Sequence, residues 1–186
     1  MKLRQLLEGV PLAGGNLNQD MEINSISYDS REIRPGALFL ALPGSGTDGH
    51  RYIGQALERG AAAVLCQRPP EGPGPWLVTE DSRLALALVS ANWFGRPGEG
   101  MTLLAVTGTN GKTTTTNLLK ELLEGALHTK VGLVGTNRNM IGGLELPASR
   151  TTPDSYELQA LLRRMADAGC THVVMEVSSH ALVQHR

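Results

Sequence analysis

Cys66 and Cys170 are the only two cysteines in the chain, far apart and each in or beside an apolar run. Two isolated thiols make neither a metal knuckle nor a disulfide framework. They read as buried hydrophobes in a reducing compartment. Aromatic residues are 4% of the composition, too few for a surface that stacks nucleobases. Lys and Arg number 17 against 18 Asp and Glu, so a formal net charge of −1 gives no field to recruit nucleic acid or anionic lipid. No apolar stretch approaches the ~18 residues of a membrane span. The start, Met1-Lys2-Leu3-Arg4-Gln5-Leu6-Leu7-Glu8, is too polar for a secretion signal. These absences lead to the expectation of a cytoplasmic protein with no membrane insertion and no nucleic-acid partner.

What is abundant is glycine, 22 residues, with 10 prolines in a chain of 186 that is 41% apolar. That suits a strand–helix alternation joined by short turns, in one large domain or two small ones. Residues 1–94 read as a small α/β unit. Ala37–Leu42 and Ala61–Leu65 are buried-strand patterns, Trp76–Val78 is a short strand, and Tyr52–Arg59 is helical with Gly60 as its stop. Ser82–Phe94 is a helix with Leu84, Leu88 and Val89 on one face. Gly95-Arg96-Pro97-Gly98-Glu99-Gly100 is the expected linker, and 101–186 the second domain. There the pattern predicts a strand ending at Val106, a helix that Gly125 stops, and a strand over Val131–Gly135. An irregular stretch to Arg150 follows. Then come a helix capped by Asp154 or Ser155 and a strand over His172–Val177.

The second domain is organised by Thr107-Gly108-Thr109-Asn110-Gly111-Lys112-Thr113-Thr114. A strand, a glycine turn and a helix N-terminus in that order form a phosphate cradle. Backbone N–H groups and the positive end of the helix dipole face the anion, Lys112 reaches the terminal phosphates, and the Thr113 hydroxyl serves Mg²⁺. The general pattern G-x-x-x-x-G-K-[ST] would have glycine where Val106 stands, so the match is to the shorter G-x-x-G-K-T. Glu176 closes the last strand. At the carboxyl end of a parallel strand it faces the same crevice as the loop, where a carboxylate suits Mg²⁺. His180 reads either as a second metal residue or as a surface histidine. Thr151-Thr152-Pro153-Asp154 reads as a helix cap or a ligand site. Asp29-Ser30-Arg31 and Asp48-Gly49-His50 read as turns or binding residues. Spacing alone gives a Mg-nucleotide site and leaves its purpose open.

The loop 107–114 resembles that of the Mur ligases, the ATP-dependent amide ligases of peptidoglycan precursor synthesis, whose short loop accounts for Val106. Thr151-Thr152-Pro153 and Glu176-Val177-Ser178-Ser179-His180-Ala181-Leu182 resemble motifs of the branch that adds the third peptide residue. Asp29-Ser30-Arg31, Pro35-Gly36-Ala37-Leu38-Phe39 and Asp48-Gly49-His50 resemble its uridine-binding domain. The dipeptide-adding branch shares Asp-Ser-Arg but differs at the later motifs. Folylpolyglutamate synthetases share the ATP loop without this uridine domain. The resemblance implies a small N-terminal α/β uridine-binding domain followed by a truncated P-loop-type parallel-sheet ATPase domain. It further implies that Tyr28, Ser30, Ser45, Gly46 and Thr47 hold the uridine diphosphate, and that Gly108, Thr109, Asn110, Gly111, Lys112, Thr113 and Thr114 hold ATP. Thr113, Glu176 and His180 would serve Mg²⁺, and Thr151, Thr152, Ser178, Gln184 and Arg186 would line the UDP-sugar-peptide site.

The partners implied are UDP-N-acetylmuramoyl-L-alanyl-D-glutamate and an amino acid, meso-diaminopimelate or L-lysine. The chemistry implied is acyl-phosphate formation followed by amine attack, with Lys112 as the catalytic cation. The family's carboxylated lysine and amino-acid-selecting domain lie beyond residue 186. The chain is therefore expected to be part of a longer, monomeric enzyme and inactive by itself. Two other classes stay open on the residues alone: a UDP-ligand-binding module without catalysis, and a P-loop NTPase switch.

Overall fold

The computed structural model describes residues 1–15, 17–44 and 47–186. It divides into two compact units, Met1–Trp93 and Phe94–Arg186.

In the first unit the elements run α1 (Leu3–Leu6), β1 (Gly14–Gly15), β2 (Ser25–Ser27), β3 (Ala37–Leu40), α2 (Ile53–Glu58), β4 (Ala61–Cys66), β5 (Trp76–Val78) and α3 (Ser82–Trp93). The sheet order is β1-β5-β4-β3-β2. Strands β2 to β5 are parallel, and β1 pairs antiparallel with β5. A parallel strand covered on both faces can be apolar throughout, which is why Ala37-Leu38-Phe39-Leu40 is buried at every position. Ala37 and Phe39 join Ile53, Ala56 and Val64 in one core cluster, and period-two alternation sends Leu38 and Leu40 to the other face. Gly60 ends the α2 region as expected, with φ +94°. The buried side of α3 is Ala85, Leu86, Val89 and Asn92, while Leu84 and Leu88 are half-buried, so the expected face is rotated. The reason is polar. The Asn92 side-chain amide donates to the carbonyls of Leu6 and Glu8, both at 2.9 Å, closing the C-terminal end of α1.

The second unit contains β6 (Thr102–Val106), α4 (Lys112–Leu127), β7 (Lys130–Val134), β8 (Arg138–Ile141), β9 (Leu144–Pro147), α5 (Ser155–Asp167), β10 (Cys170–Glu176) and α6 (Ser179–Val183). Its sheet order is β6-β10-β7-β8-β9. Strand β10 is parallel to both neighbours, and β7-β8-β9 is an antiparallel meander. Leu158, Leu161, Leu162 and Met165 of α5 pack with Val173 and Met175 of β10. The intervening Val174 packs with Leu119 and Leu123 of α4. The two helices therefore cover opposite faces. Asp154 caps α5 by accepting the Glu157 N–H at 3.0 Å. The glycine-rich 95–100 stretch contains a 3-10 turn, Pro97–Gly100, that packs on α5.

Two expectations need correction. Helix α4 runs through Gly125 to Leu127 and ends at His128, which is left-handed at φ 49°. Glu124 anchors that last turn: it pairs with Lys120 at 2.8 Å and accepts the Val131 N–H at 3.2 Å, which offsets the ~1 kcal/mol glycine penalty. The stretch read as irregular holds the β8–β9 hairpin, turned by Gly142-Gly143 between the paired Ile141 and Leu144. No helix among the described residues is long and apolar enough to cross a membrane.

Replacing Asn92 with Ala leaves two carbonyls without their donor and is expected to cost about 2 kcal/mol, read as a lower urea midpoint with an unchanged slope. Both thiols are buried; burial pushes Cys66 up to about 11 and raises Cys170. Iodoacetamide at pH 8 should therefore leave the folded chain unmodified and label two thiols after denaturation, as mass spectrometry would show.

Candidate functional site

In the second unit β6 delivers the loop. Gly108 (φ 144°) and Gly111 (φ 80°) take backbone conformations that disfavour a side chain, and Gly111 caps α4. Lys112 folds back so that its Nζ donates to the Gly108 carbonyl at 2.7 Å. One residue on, the Thr113 hydroxyl donates to Glu176 Oε2 at 3.1 Å. Register explains the meeting: Glu176 is the Cα partner of Val106, the last residue before the loop.

The Glu176 side chain is only 1% exposed, and its other partners come from the segment after β7. The Thr136 N–H donates to Oε1 at 2.9 Å, and the Thr136 hydroxyl to Oε2 at 3.0 Å. The backbone at Glu176 is fixed as well. Thr152 Oγ1 donates to its carbonyl at 2.9 Å and accepts the Ser178 N–H at 3.2 Å. Arg186 reaches the Thr152 carbonyl at 3.4 Å and also bonds Gln184. Thr151, Thr152, Ser178, Gln184 and Arg186 are thus tied to one another and to Glu176 through Thr136 and Thr152.

His180 lies exposed on the first turn of α6 and is not among the partners of the Glu176 carboxylate. Among the described residues no three His, Cys, Asp or Glu side chains gather closely enough to hold a metal. A hydroxyl and a carboxylate beside a phosphate loop are nevertheless hard oxygen donors. That set fits Mg²⁺, which takes few protein ligands and completes its shell with phosphate and water. A second cleft of about 630 Å³ adjoins the start of α4, bounded by Thr113, Asn117, Asn137 and Arg138 among others.

In the first unit a cavity of about 550 Å³ is bordered by Tyr28, Ser30, Thr47, Gln55 and Arg83 among others. The buried Ser30 hydroxyl donates to Gln55 Oε1 at 2.7 Å, and Arg83 donates to the Pro43 carbonyl at 2.8 Å. Ser45 and Gly46 lie outside the described residues. Asp29 caps the 3-10 turn Ser30–Glu32 and binds Arg31 through both carboxylate oxygens. Asp48-Gly49-His50 is a staple. Asp48 caps the turn Gly49–Tyr52, faces His50 Nδ1 at 2.7 Å and pairs with Arg68, while His50 Nε2 accepts the Gln67 N–H at 3.0 Å. Both ring nitrogens are occupied, which makes Nδ1 the protonated one. A Cβ on Gly49 would stand 2.9 Å from the Leu42 backbone, so the staple needs glycine there.

Two family models match the chain: one described as Mur ligase family, catalytic domain, over residues 22–87, and one as Mur ligase middle domain, over 106–186. The chain belongs to the Mur ligase family. Mur ligase relatives named UDP-N-acetylmuramoyl-L-alanyl-D-glutamate--2,6-diaminopimelate ligase match the whole chain. Those of Chlorobium phaeobacteroides and Caldanaerobacter subterraneus are 46% and 45% identical. The chain spans only 37% and 39% of the length of these two relatives. A solved structure of the same name superposes over 99% of this chain and 37% of its own, with TM-score 0.79 and 27% identity. A Mur ligase from Thermotoga maritima, MurF in complex with ADP, covers 83% of this chain and 32% of its own at TM-score 0.57 and 25% identity.

Sequence reasoning missed Thr136, Gln55 and Arg83. Thr136 could have been found, because it follows the C-terminal end of a parallel strand, where ligands gather. Gln55 and Arg83 stand on helices with nothing local to mark them.

The Arg31 side chain, then its backbone N–H, hold Asp29 down at about 2 from an ordinary 3.8. A lowered carboxyl favours the folded state above about pH 4, and the gain is lost as pH falls through about 2. The pair is exposed, so the gain is small. NMR titration should place the Asp29 midpoint near 2, and Arg31→Ala should return it toward 4.

Proposed function

We propose that this chain forms the UDP-substrate-binding unit and part of the ATP-binding unit of an ATP-dependent amide ligase. The reaction is the addition of meso-diaminopimelate to UDP-N-acetylmuramoyl-L-alanyl-D-glutamate. The observation that carries the reading is the bond between Thr113 and the buried Glu176 at the base of the phosphate loop, with Thr151, Thr152 and Ser178 joined to the same carboxylate segment. The names of the relatives support diaminopimelate over lysine as the incoming residue.

Residues 1–94 take the uridine diphosphate in the cavity edged by Tyr28, Ser30 and Thr47. Residues 108–114 take the ATP phosphates on their backbone amides. Lys112 exchanges the Gly108 carbonyl for the terminal phosphates, and its charge offsets the charge that develops on the transferring phosphoryl group. The substrate carboxylate accepts that group as an acyl phosphate, and the amine of the incoming amino acid then displaces phosphate. Thr113 and Glu176 would hold Mg²⁺, with His180 as a further candidate, and the bound ion would supply positive charge against the phosphates. Thr151, Thr152, Ser178, Gln184 and Arg186 orient the UDP-sugar-peptide so that its carboxylate meets the loop.

In the complete ligase, Lys112→Ala should lower turnover at least about 100-fold while the UDP substrate still binds; unchanged turnover would remove Lys112 from the reaction. Calorimetric titration of UDP-N-acetylmuramoyl-L-alanyl-D-glutamate into the 186-residue chain should show binding that Ser30→Ala weakens about 5- to 10-fold, the loss of one buried hydrogen bond. Binding of Mg-ATP with none of the UDP substrate would favour a nucleotide switch instead.

A further inference from the structure

We propose that Thr136 is a positioning residue that couples the UDP-substrate side of the site to its metal side. It holds the Glu176 carboxylate with its N–H and hydroxyl, and the same hydroxyl also donates to Thr151. The proposal rests on the ligase reading above and adds to it a residue and a direction of coupling.

One hydrogen joins the two contacts. The Thr113 and Thr136 hydroxyls donate to Glu176 Oε2 at 3.1 and 3.0 Å. The Thr136 hydroxyl also donates to Thr151 Oγ1 at 3.1 Å. A threonine hydroxyl has a single hydrogen, so Thr151 and Glu176 share it, and what one acceptor takes the other loses.

The backbone supports it. Strand β10 lies between β6 and β7, so Glu176 is gripped from both sides: Thr113 beyond β6, Thr136 beyond β7. The residue before Thr136 must be small. A Cβ on Gly135 would stand 2.9 Å from Glu176 Oε1, inside contact distance. A UDP substrate that engages Thr151 alters its claim on the Thr136 hydrogen, and so the orientation of the carboxylate offered to the metal.

The test uses the 186-residue chain with Mn²⁺ and ADP as probes. Mn²⁺ affinity at saturating ADP is read by electron paramagnetic resonance, and ADP affinity is measured separately without metal. Thr136→Val keeps the N–H and removes the hydroxyl. It should weaken Mn²⁺ about 5- to 10-fold, as expected for one charge-assisted hydrogen bond. Metal-free ADP affinity and the thermal midpoint should stay in place, and Thr136→Ser should restore Mn²⁺ to within about twofold of the parent chain. Thr151→Val removes the competing acceptor and should strengthen Mn²⁺ binding about two- to threefold in the parent while leaving it unchanged in the Thr136→Val background, the non-additivity of a shared network. Equal Mn²⁺ affinity in the parent and Thr136→Val, or additive effects of the two valines, overturns the coupling and leaves the ligase reading intact. A parent chain whose ADP binding gains nothing from metal overturns both. Should Thr136→Val not fold, Gly135→Ala displaces the flexible end of Glu176 without touching Thr136. Loss of Mn²⁺ affinity there supports the clamp, and an unchanged affinity overturns it.

Discussion

A carboxylate that is 1% exposed needs donors for both of its oxygens, and that requirement at Glu176 organises the second unit. The sheet order meets it. Placing β10 between β6 and β7 brings a phosphate-loop hydroxyl to one flank of the carboxylate and the Thr136 amide and hydroxyl to the other. The helices then follow. Helix α4 must begin right after the loop, so its inward face is set by Thr113, Thr116 and Lys120, and the leucines four residues apart at 118 and 122 turn outward, 61% and 65% exposed. Helix α5 closes over the opposite face so tightly that a Cβ on Gly132 would stand 2.5 Å from Met165 Sδ.

The first unit solves a different problem. Its central parallel strands, β3 and β4, are short and wholly apolar, so register is held less by side-chain alternation than by polar ties at the strand ends. Asp48, His50 and Gln67 join the loop after β3 to the end of β4, and Asn92 joins α3 to α1. Gly49, between Asp48 and His50, also lines the cavity that Ser30 and Gln55 edge.

Much of this was legible in the residues. The loop 107–114 announces itself through local chemistry, because glycine conformation and a following helix leave their marks in a short window. The apolar periodicities of α5 and β10 carry their own direction, which put Glu176 at the crevice. The extent of α4 was not legible. Gly125 is an ordinary stop signal, and what overrides it is an ion pair and a bond to Val131, both set by tertiary placement. The β8–β9 hairpin was missed although Gly142-Gly143 is a hairpin signal, since Asn, Arg and Glu in its strands dilute the alternation. Thr136 was missed because Glu176, the carboxylate it binds, is forty residues away in sequence, and only the strand order brings them together.

That strand order also dictates a sequence of events during synthesis. The β7-β8-β9 meander is local and can pair as soon as it emerges. Strand β6 is made before all of it, yet its partner in the described sheet is β10, which follows every other described strand. On a ribosome adding about 5–20 residues per second, the finished phosphate loop waits on the order of seconds for the strand that anchors it. When β10 arrives it inserts between β6 and the meander, bringing the carboxylate with it. Loop and acid can therefore come together as a site only once β10 has been made.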